Sequence, residues 1–147
     1  MEDNAKAVVI LLVDDDADDR EMTRKALAKN HLVNEVYEVV DGEELLDFLR
    51  HRGRYAPPAL SPTPGLILLD LNMPKKDGRE ALAEIKADPA LRRIPVVVMT
   101  TSKAEEDIFR MYDLGSNSFI SKPITLPALV DVMIVLGQYW FHIVTLP

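Results

Sequence analysis

The chain contains no cysteine among its 147 residues. This absence excludes disulfide bonds, thiolate nucleophiles and zinc–thiolate sites, and it suits a reducing cytoplasm, which is where we expect the protein to be. Long apolar runs are also missing, because residues 125–147 are interrupted by Asp131 and Gln138 and fall short of the roughly 18 apolar residues of a membrane span. The acidic start MEDNAKA is unlike a signal peptide, so we expect neither membrane insertion nor secretion.

Basic residues are scarce relative to acidic ones. The chain has 17 lysines and arginines against 24 aspartates and glutamates, a net charge of −7. A nucleic-acid surface needs a basic patch, so we expect no nucleic-acid partner. Apolar residues make up 48% of the chain and charged residues 28%, as in ordinary folded proteins. The length suits one domain, which we expect to span residues 1–147.

Short apolar runs alternate with amphipathic stretches along the chain, which predicts buried parallel strands connected by helices. The predicted strands are Val8–Val13 and residues 35–40, 66–71, 96–100 and 118–121. The predicted helices are residues 19–30, 42–50, 79–88, 105–115 and 126–140, with Asp41 as the N-cap of the second. We therefore predict an α/β fold with a doubly wound parallel sheet, in which strand 66–71 is central and strand 35–40 is at an edge.

Residues 51–65 do not follow this alternation. The segment HRGRYAPPALSPTPG contains four prolines and two glycines, which disfavour any regular helix or strand. A loop of this length inside a single domain is usually functional or mobile. We predict an irregular insertion before the third strand.

Polar residues stand at the carboxyl ends of four predicted strands: residues 14–16, Asp70, Thr100 and Lys122. Ligand sites in open parallel sheets lie outside this edge, so these side chains are expected to converge. Each also has a simpler interpretation: helix capping for residues 14–16, turn initiation for Asp70 and an exposed lysine for Lys122. Capping is favoured for Ser102 rather than Thr100, and Asp18 and Asp19 suit the first turn of a helix.

Several carboxylates in contact repel one another unless a cation neutralises them. Oxygen ligands of this kind suit Mg²⁺, so metal binding is favoured over capping for Asp14 and Asp15. Phosphoryl transfer also needs positive charge and hydrogen-bond donors around the transferred group, which Lys122 and Thr100 would supply. The strand ends therefore predict a magnesium-dependent phosphoryl-transfer site.

Four motifs, LLVDDDADDR, LILLDLNMPKKDG, VVVMTTS and SFISKP, resemble in order and spacing the receiver domains of two-component response regulators. The resemblance covers nearly the whole chain. It implies a flavodoxin-like (βα)5 sheet of strand order 2-1-3-4-5. It also implies that the protein is a signalling phosphoacceptor rather than an enzyme, which takes its phosphoryl group from a phosphohistidine of a sensor histidine kinase.

Site roles follow from the same resemblance. It identifies Asp70 as the phosphorylated residue, Asp70 and Asp15 as direct Mg²⁺ ligands, and Asp14 as their acidic neighbour, which acts indirectly. Asn72 would complete the metal site through its backbone carbonyl.

Three further positions match residues that respond to the phosphoryl group. Thr100 corresponds to the hydroxyl that turns towards it, and Lys122 to the lysine that pairs with it. Phe119 occupies the aromatic switch position, although simple core packing is an alternative for this side chain.

The chain most resembles the small single-domain regulators that partner bacterial phytochromes. The shared features are the insertion at 51–65, TTSKAEEDI, YDLGSNSFISKP and the terminal YWFHIVTLP. This likeness implies a light-regulated histidine kinase, a bacterial phytochrome, as the upstream partner.

The C-terminal sequence LPALVDVMIVLGQYWFHIVTLP is apolar nearly all round, more than one core-facing stripe requires. We predict a homodimer formed through the last helix and the apolar tail 141–147. The alternative is that this tail folds back over its own domain.

Other protein classes also place aspartates after a first strand. A calcium loop through Asp14, Asp16 and Asp18 fails, because its sixth and twelfth positions would be Asp19 and Lys25 instead of glycine and glutamate. A flavin module would need a phosphate-binding loop that these carboxylates would repel. An aspartate-nucleophile phosphatase using Asp14 and Asp16 is the main alternative, although such enzymes need a larger core.

Overall fold

The structure, a computed structural model, describes residues 8–28, 33–59, 61–70, 78–100 and 118–121 together with 127, 128, 131 and 134. Five strands are present: β1 (Val8–Val13), β2 (Val33–Val39), β3 (Leu66–Asp70), β4 (Val96–Thr100) and β5 (Ser118–Ser121). Three helices lie between them: α1 (Ala17–Ala28), α2 (Gly42–Arg50) and α3 (Gly78–Ala87). The four described residues beyond 126 are helical, and the predicted helix 105–115 lies outside the described residues.

The strands form one parallel sheet of order β2-β1-β3-β4-β5. This order confirms the expected fold, with β3 at the centre and β2 at an edge. All five residues of β3 are buried, as a continuous apolar run in a doubly covered sheet requires. Parallel pairing places the carboxyl ends of all five strands at the same edge of the sheet.

The core forms on both faces of this sheet. On one face, alternate residues of β1, β3 and β4 belong to a buried cluster with α2 and α3: Leu11, Val13, Ile67, Leu69, Val96, Val98, Leu45, Phe48, Leu82 and Ile85. The intervening strand residues, such as Leu12 and Leu68, point to the opposite face and are also buried. This burial on two sides explains why the strands read as unbroken apolar runs.

Helices α1 and α2 begin at aspartate caps. Asp16 Oδ1 accepts hydrogen bonds from the backbone N–H groups of Asp18 (2.9 Å) and Asp19 (3.1 Å). Helix α1 therefore begins at Ala17, two residues earlier than the predicted helix 19–30. Asp41 Oδ1 accepts from the backbone N–H of Glu44 at 2.8 Å, which confirms Asp41 as the N-cap of α2.

The proline-rich segment after α2 is more ordered than its composition predicts. It contains a short 3₁₀ helix, Gly53–Tyr55, where the sequence predicted only irregular structure. The Tyr55 ring packs against Phe48 with centroids 5.0 Å apart, and its hydroxyl donates to Glu44 Oε2 at 2.5 Å. His51 Nδ1 lies 2.8 Å from Ser61 Oγ. The Tyr55 contacts attach the segment to α2, and the contact between His51 and Ser61 lies within the segment.

Membrane insertion was not expected from the sequence. Among the described residues, no helix combines the length and the apolar character that a membrane span requires.

Candidate functional site

The candidate site lies where β1 and β3 end side by side. Val13, the last residue of β1, pairs with Leu69 of β3, so Asp14 and Asp70 follow at the same level of the sheet. One carboxylate oxygen from each of Asp14, Asp15 and Asp70 lies within 4.8 Å of the other two. The structure therefore brings together these three predicted residues, which we call the aspartate cluster.

Burial decreases from the floor of the aspartate cluster to its mouth. Asp14 is 2% exposed and Asp70 is 9% exposed, whereas Asp15 is open to solvent. Two charges about 4 Å apart repel by roughly 4 kcal/mol at an effective dielectric constant of about 20. A divalent cation relieves this repulsion, and the oxygen-only donor set with an open side suits Mg²⁺ or Mn²⁺, which keep several bound waters. The residues present therefore fit a divalent metal ion.

Hydrogen bonds to three neighbouring segments help to hold Asp14 in place, besides any contact with a metal. Its backbone N–H donates to the carbonyl of Val39 at 3.2 Å, which extends the β1–β2 pairing by one residue. Its Oδ1 accepts from the backbone N–H of Asp16 at 3.0 Å. Its own carbonyl oxygen accepts from Arg20 Nη1 at 2.9 Å. The position of this buried carboxylate is therefore set by β2, by the following turn and by α1.

The other acidic residues of the DDDADD stretch serve the helix. Asp16 is exposed and uses Oδ1 to cap α1, and Asp18 and Asp19 lie in the first turn of that helix. Capping is thus the role of Asp16 alone among residues 14–16, as one helix needs one cap. A phosphatase with an Asp14–Asp16 pair would need Asp16 for chemistry, and the capping contacts disfavour this alternative.

Sequence reasoning did not identify a charged group beside the cluster. Arg20 Nε donates to Glu38 Oε1 at 3.0 Å, and Arg24 Nε donates to Glu38 Oε2 at 2.6 Å. The one-turn spacing of the two arginines could have suggested a shared partner. Their shared carboxylate is on β2, however, and only the hydrogen bonds of the folded chain show that it lies beside α1.

The remaining predicted residues are only partly described. The backbone of Thr100 ends β4, one residue beyond the Met99 that pairs with Asp70, and it pairs with Ser121 of β5. Phe119 lies on β5. The side chains of Thr100 and Phe119, and all of Asn72 and Lys122, lie outside the described residues, so their roles are still predictions.

A separate cavity of about 510 Å³ lies next to the aspartate cluster, between α1, β2, α2 and the proline-rich segment. Its lining includes Arg20, Glu38, Glu44 and Tyr55 but none of the three clustered aspartates. Burial and the hydrogen bond to Glu44 raise the pKa of Tyr55 to about 12. Two carboxylates of this cavity, Glu38 and Glu44, are paired with arginines, and Glu44 also accepts from Tyr55, which distinguishes the cavity from the cluster.

The sequence matches the response regulator receiver domain family over residues 10–134. The match covers most of the chain, so this protein belongs to the receiver domain family. Receiver domains are signalling phosphoacceptors and bind a divalent metal ion at an acidic pocket. The family and the flavodoxin-like fold predicted from the sequence are thereby confirmed.

Individual relatives match over nearly their whole length. The response regulator Rcp1 of Synechocystis is 44% identical over 139 residues, which cover 95% of this chain and 92% of Rcp1. The phosphorylated cyanobacterial phytochrome response regulator RcpA superposes with a TM-score of 0.86 at 47% identity, covering 96% of this chain and 99% of RcpA. The Mn²⁺-bound form of Rcp1 superposes with a TM-score of 0.80 at 42% identity, covering 95% and 99%.

Proposed function

We propose that this protein is a single-domain response regulator, spanning residues 1–147, that accepts a phosphoryl group on Asp70 in a Mg²⁺-dependent reaction. The observation that carries the proposal is the aspartate cluster, with carboxylate oxygens of Asp14, Asp15 and Asp70 within 4.8 Å of one another. The phosphoryl donor is a phosphohistidine of a sensor histidine kinase.

The geometry favours Asp70 over Asp14 as the phosphoacceptor. Asp14 is the more deeply buried, and its Oδ1 accepts the backbone N–H of Asp16, so it is held as part of the floor. Asp70 ends the central strand and keeps some exposure to solvent. Asp15 is exposed and suits a metal ligand at the mouth of the site.

Transfer requires a carboxylate oxygen of Asp70 to form a P–O bond while the P–N bond to the kinase histidine breaks. A bound divalent ion would supply positive charge that lowers the repulsion between these carboxylates and the phosphoryl oxygens. Asp15 and Asp70 would hold that charge directly and Asp14 indirectly, with the backbone carbonyl of Asn72 as the proposed additional ligand. The residues thus provide position and electrostatic stabilisation, which account for most of the catalysis of phosphoryl transfer.

Thr100 and Lys122 are the proposed partners of the phosphoryl oxygens. Strand β4 adjoins β3, and Thr100 lies one residue beyond the level of Asp70. Ser121, the last residue of β5, pairs with Thr100, and Lys122 is the next residue in the sequence. Movement of Thr100 towards the phosphoryl group, with Phe119 packing into the vacated space, is the proposed switch.

The kinase partner is proposed from the relatives. RcpA is a phytochrome response regulator and matches this chain over nearly the full length of both. We therefore propose a bacterial phytochrome as the cognate kinase and the cytoplasm as the place where the two meet. Bound Mn²⁺ in the Rcp1 structure supports a divalent ion at the aspartate cluster.

Homodimerisation through the last helix and the tail 141–147 is also proposed. Residues 127, 128, 131 and 134 are helical, and Ile134 is 39% exposed, an apolar side chain that a partner subunit could cover. Removal of residues 139–147 should convert the dimer into a monomer in size-exclusion chromatography with light scattering. An unchanged dimer would contradict this part of the proposal.

The phosphoacceptor proposal is tested by incubation with acetyl phosphate and Mg²⁺, followed by mass spectrometric mapping of the adduct. We expect an acid-labile adduct on Asp70, with no adduct in Asp70→Asn and much less in Asp15→Ala. Chelation of the metal should have the same effect as Asp15→Ala. An adduct on Asp14, or steady turnover of small phosphate esters, would instead support the phosphatase alternative.

A further inference from the structure

We infer that Arg20 is a positioning residue for the metal site. In this role it fixes the peptide group between Asp14 and Asp15, so that both carboxylates face Asp70. The inference rests on the proposed function, because the metal ion is the proposed cofactor for phosphorylation of Asp70. It assigns a role to a residue on α1 that does not itself belong to the aspartate cluster.

The contacts of Arg20 connect three elements. From α1, its Nη1 donates to the carbonyl oxygen of Asp14 at 2.9 Å, just beyond the end of β1, and its Nε donates to Glu38 of β2 at 3.0 Å. The Arg20 side chain is 18% exposed, so both hydrogen bonds are largely shielded from water. Glu38 is held in turn by Arg24. The guanidinium plane is therefore fixed on two sides.

The carbonyl of Asp14 has particular importance because it belongs to the peptide plane that joins Asp14 to Asp15. Since this group is rigid and planar, the hydrogen bond from Arg20 restricts the ψ angle of Asp14 and the φ angle of Asp15 together. These two angles, together with the side-chain torsions, decide where both carboxylates point. Loss of the bond would let the plane rotate and would separate oxygens that now lie within 4.8 Å of one another and of Asp70.

Electrostatics alone predicts the opposite change in metal affinity when Arg20 is removed. A positive charge near the cluster repels a cation, so its deletion would tighten metal binding. Glu38 lies 3.0 Å from Arg20 and offsets this charge, which leaves position as the larger effect. Residues that orient metal ligands change metal affinity by roughly 10–100-fold when they are mutated. Metal affinity therefore distinguishes the two effects by its direction.

Arg24 provides a matched control. It lies one turn further along α1 and pairs with the same carboxylate of Glu38, with its side chain 51% exposed. Within the described part of the chain it makes no hydrogen bond to Asp14. Arg24→Ala therefore removes the same charge from the same helix and leaves the Asp14 peptide held.

The experiment measures Mn²⁺ binding to the full chain by the loss of the free-ion paramagnetic resonance signal. We expect Arg20→Ala to raise the Kd about 10-fold, as for other residues that orient ligands, and Arg24→Ala to change it by less than about 2-fold. Arg20→Lys keeps the charge without the planar fork and should recover only part of the affinity. Thermal unfolding in the presence of a chelator measures separately how much each substitution lowers the stability of the metal-free protein.

Phosphorylation by acetyl phosphate provides a second measurement. Arg20→Ala should need about 10-fold more Mg²⁺ for half-maximal rate, yet approach the wild-type rate at saturating Mg²⁺, because Arg20 positions ligands without touching the phosphoryl group. A rate that stays low at saturating Mg²⁺ would overturn the positioning role.

Unchanged or tighter Mn²⁺ binding by Arg20→Ala would overturn the inference and leave the proposed function intact. Failure of the wild-type protein to bind Mn²⁺ or to be phosphorylated would overturn both. If the alanine variant does not fold, Arg20→Gln carries the same expectation, and wild-type affinity in that variant would again overturn the inference.

Discussion

Two acidic regions of this protein place their carboxylates in opposite electrostatic surroundings. At the carboxyl edge of the sheet, Asp14, Asp15 and Asp70 bring like charges within 4.8 Å. Around α2, acids are placed against donors, with Glu44 accepting from the Tyr55 hydroxyl and from Arg54. The second arrangement stabilises the fold, whereas the first opposes it until a cation binds. A functional site is therefore expected where like charges lie close together, and a contribution to stability is expected where carboxylates are paired with donors.

The largest effect expected from this comparison is the loss of phosphorylation in Asp70→Asn. The amide cannot form the acyl phosphate, so phosphotransfer from acetyl phosphate with Mg²⁺ should fall to background. Glu44→Gln, a matched change of one acid to its amide in the other region, should keep wild-type phosphorylation. Radiolabel or mass spectrometry measures both variants. Loss of phosphorylation in Glu44→Gln would show that the two regions are not separable.

The second prediction concerns stability and is specific to the aspartate cluster. Metal binding to the folded state alone should raise the free energy of unfolding by about 2.7 kcal/mol when the ion is at 100 times its Kd. Asp15→Ala should lose most of this gain, whereas Glu44→Ala should retain it. Urea denaturation with and without Mg²⁺ measures the difference. Equal stabilisation of Asp15→Ala and wild type would place the metal elsewhere.

The third prediction concerns the matched charges around α2. Glu44→Ala removes the acceptor for Tyr55, for Arg54 and for the backbone N–H of Val40. It should lower the free energy of unfolding by about 2 kcal/mol, since three hydrogen bonds are lost together and the one from Tyr55 is partly buried. The exposed neighbour Glu43 supplies the control, and Glu43→Ala should cost no more than about 0.5 kcal/mol. Similar losses in both variants would contradict the importance of the Glu44 contacts.

The smallest expected effect concerns the pKa of the Tyr55 hydroxyl. Burial and its hydrogen bond to Glu44 raise the pKa of Tyr55 from 10.0 to about 12. The folded state therefore holds this proton more tightly than the unfolded chain. The resulting stabilisation is complete below pH 10 and is lost as the pH rises from 10 towards 12.

Tyrosinate absorbance, taken as the difference between wild type and Tyr55→Phe, measures that pKa. Glu44→Gln should bring the pKa of Tyr55 part of the way back towards 10.0, because burial persists after the carboxylate is removed. A pKa near 10.0 in the wild-type protein would show that the proline-rich segment is not attached to α2 as described.

Much of the fold could be predicted from local patterns. Unbroken apolar runs identified β1, β3 and β4, because a parallel strand covered on both faces needs apolar side chains at every position. Strand β2 was predicted instead from the alternating pattern of residues 35–40, as suits an edge strand. Asp41 was recognised as a cap for a similarly local reason, since capping joins a side chain to a backbone group three residues away. The start of α1 was missed by two residues because neighbouring aspartates offered equally good caps.

The candidate site was predictable in part. Asp14, Asp15 and Asp70 could be grouped because parallel strands present their carboxyl ends at one edge. The separate role of Asp16 could not be predicted, because the choice between helix cap and metal ligand depends on which way each carboxylate turns after β1.

By itself the sequence determined the alternation of strands and helices, the edge of the sheet at which the candidate site lies and the identity of the acidic residues there. Only the tertiary structure decided that Arg20 reaches the Asp14 carbonyl and Glu38 together, and that Tyr55 closes on Glu44. The physical reason is the different distance along the chain over which these interactions act. Hydrophobic periodicity and capping act over a few residues, whereas these contacts join elements whose separation in space depends on the register of neighbouring strands.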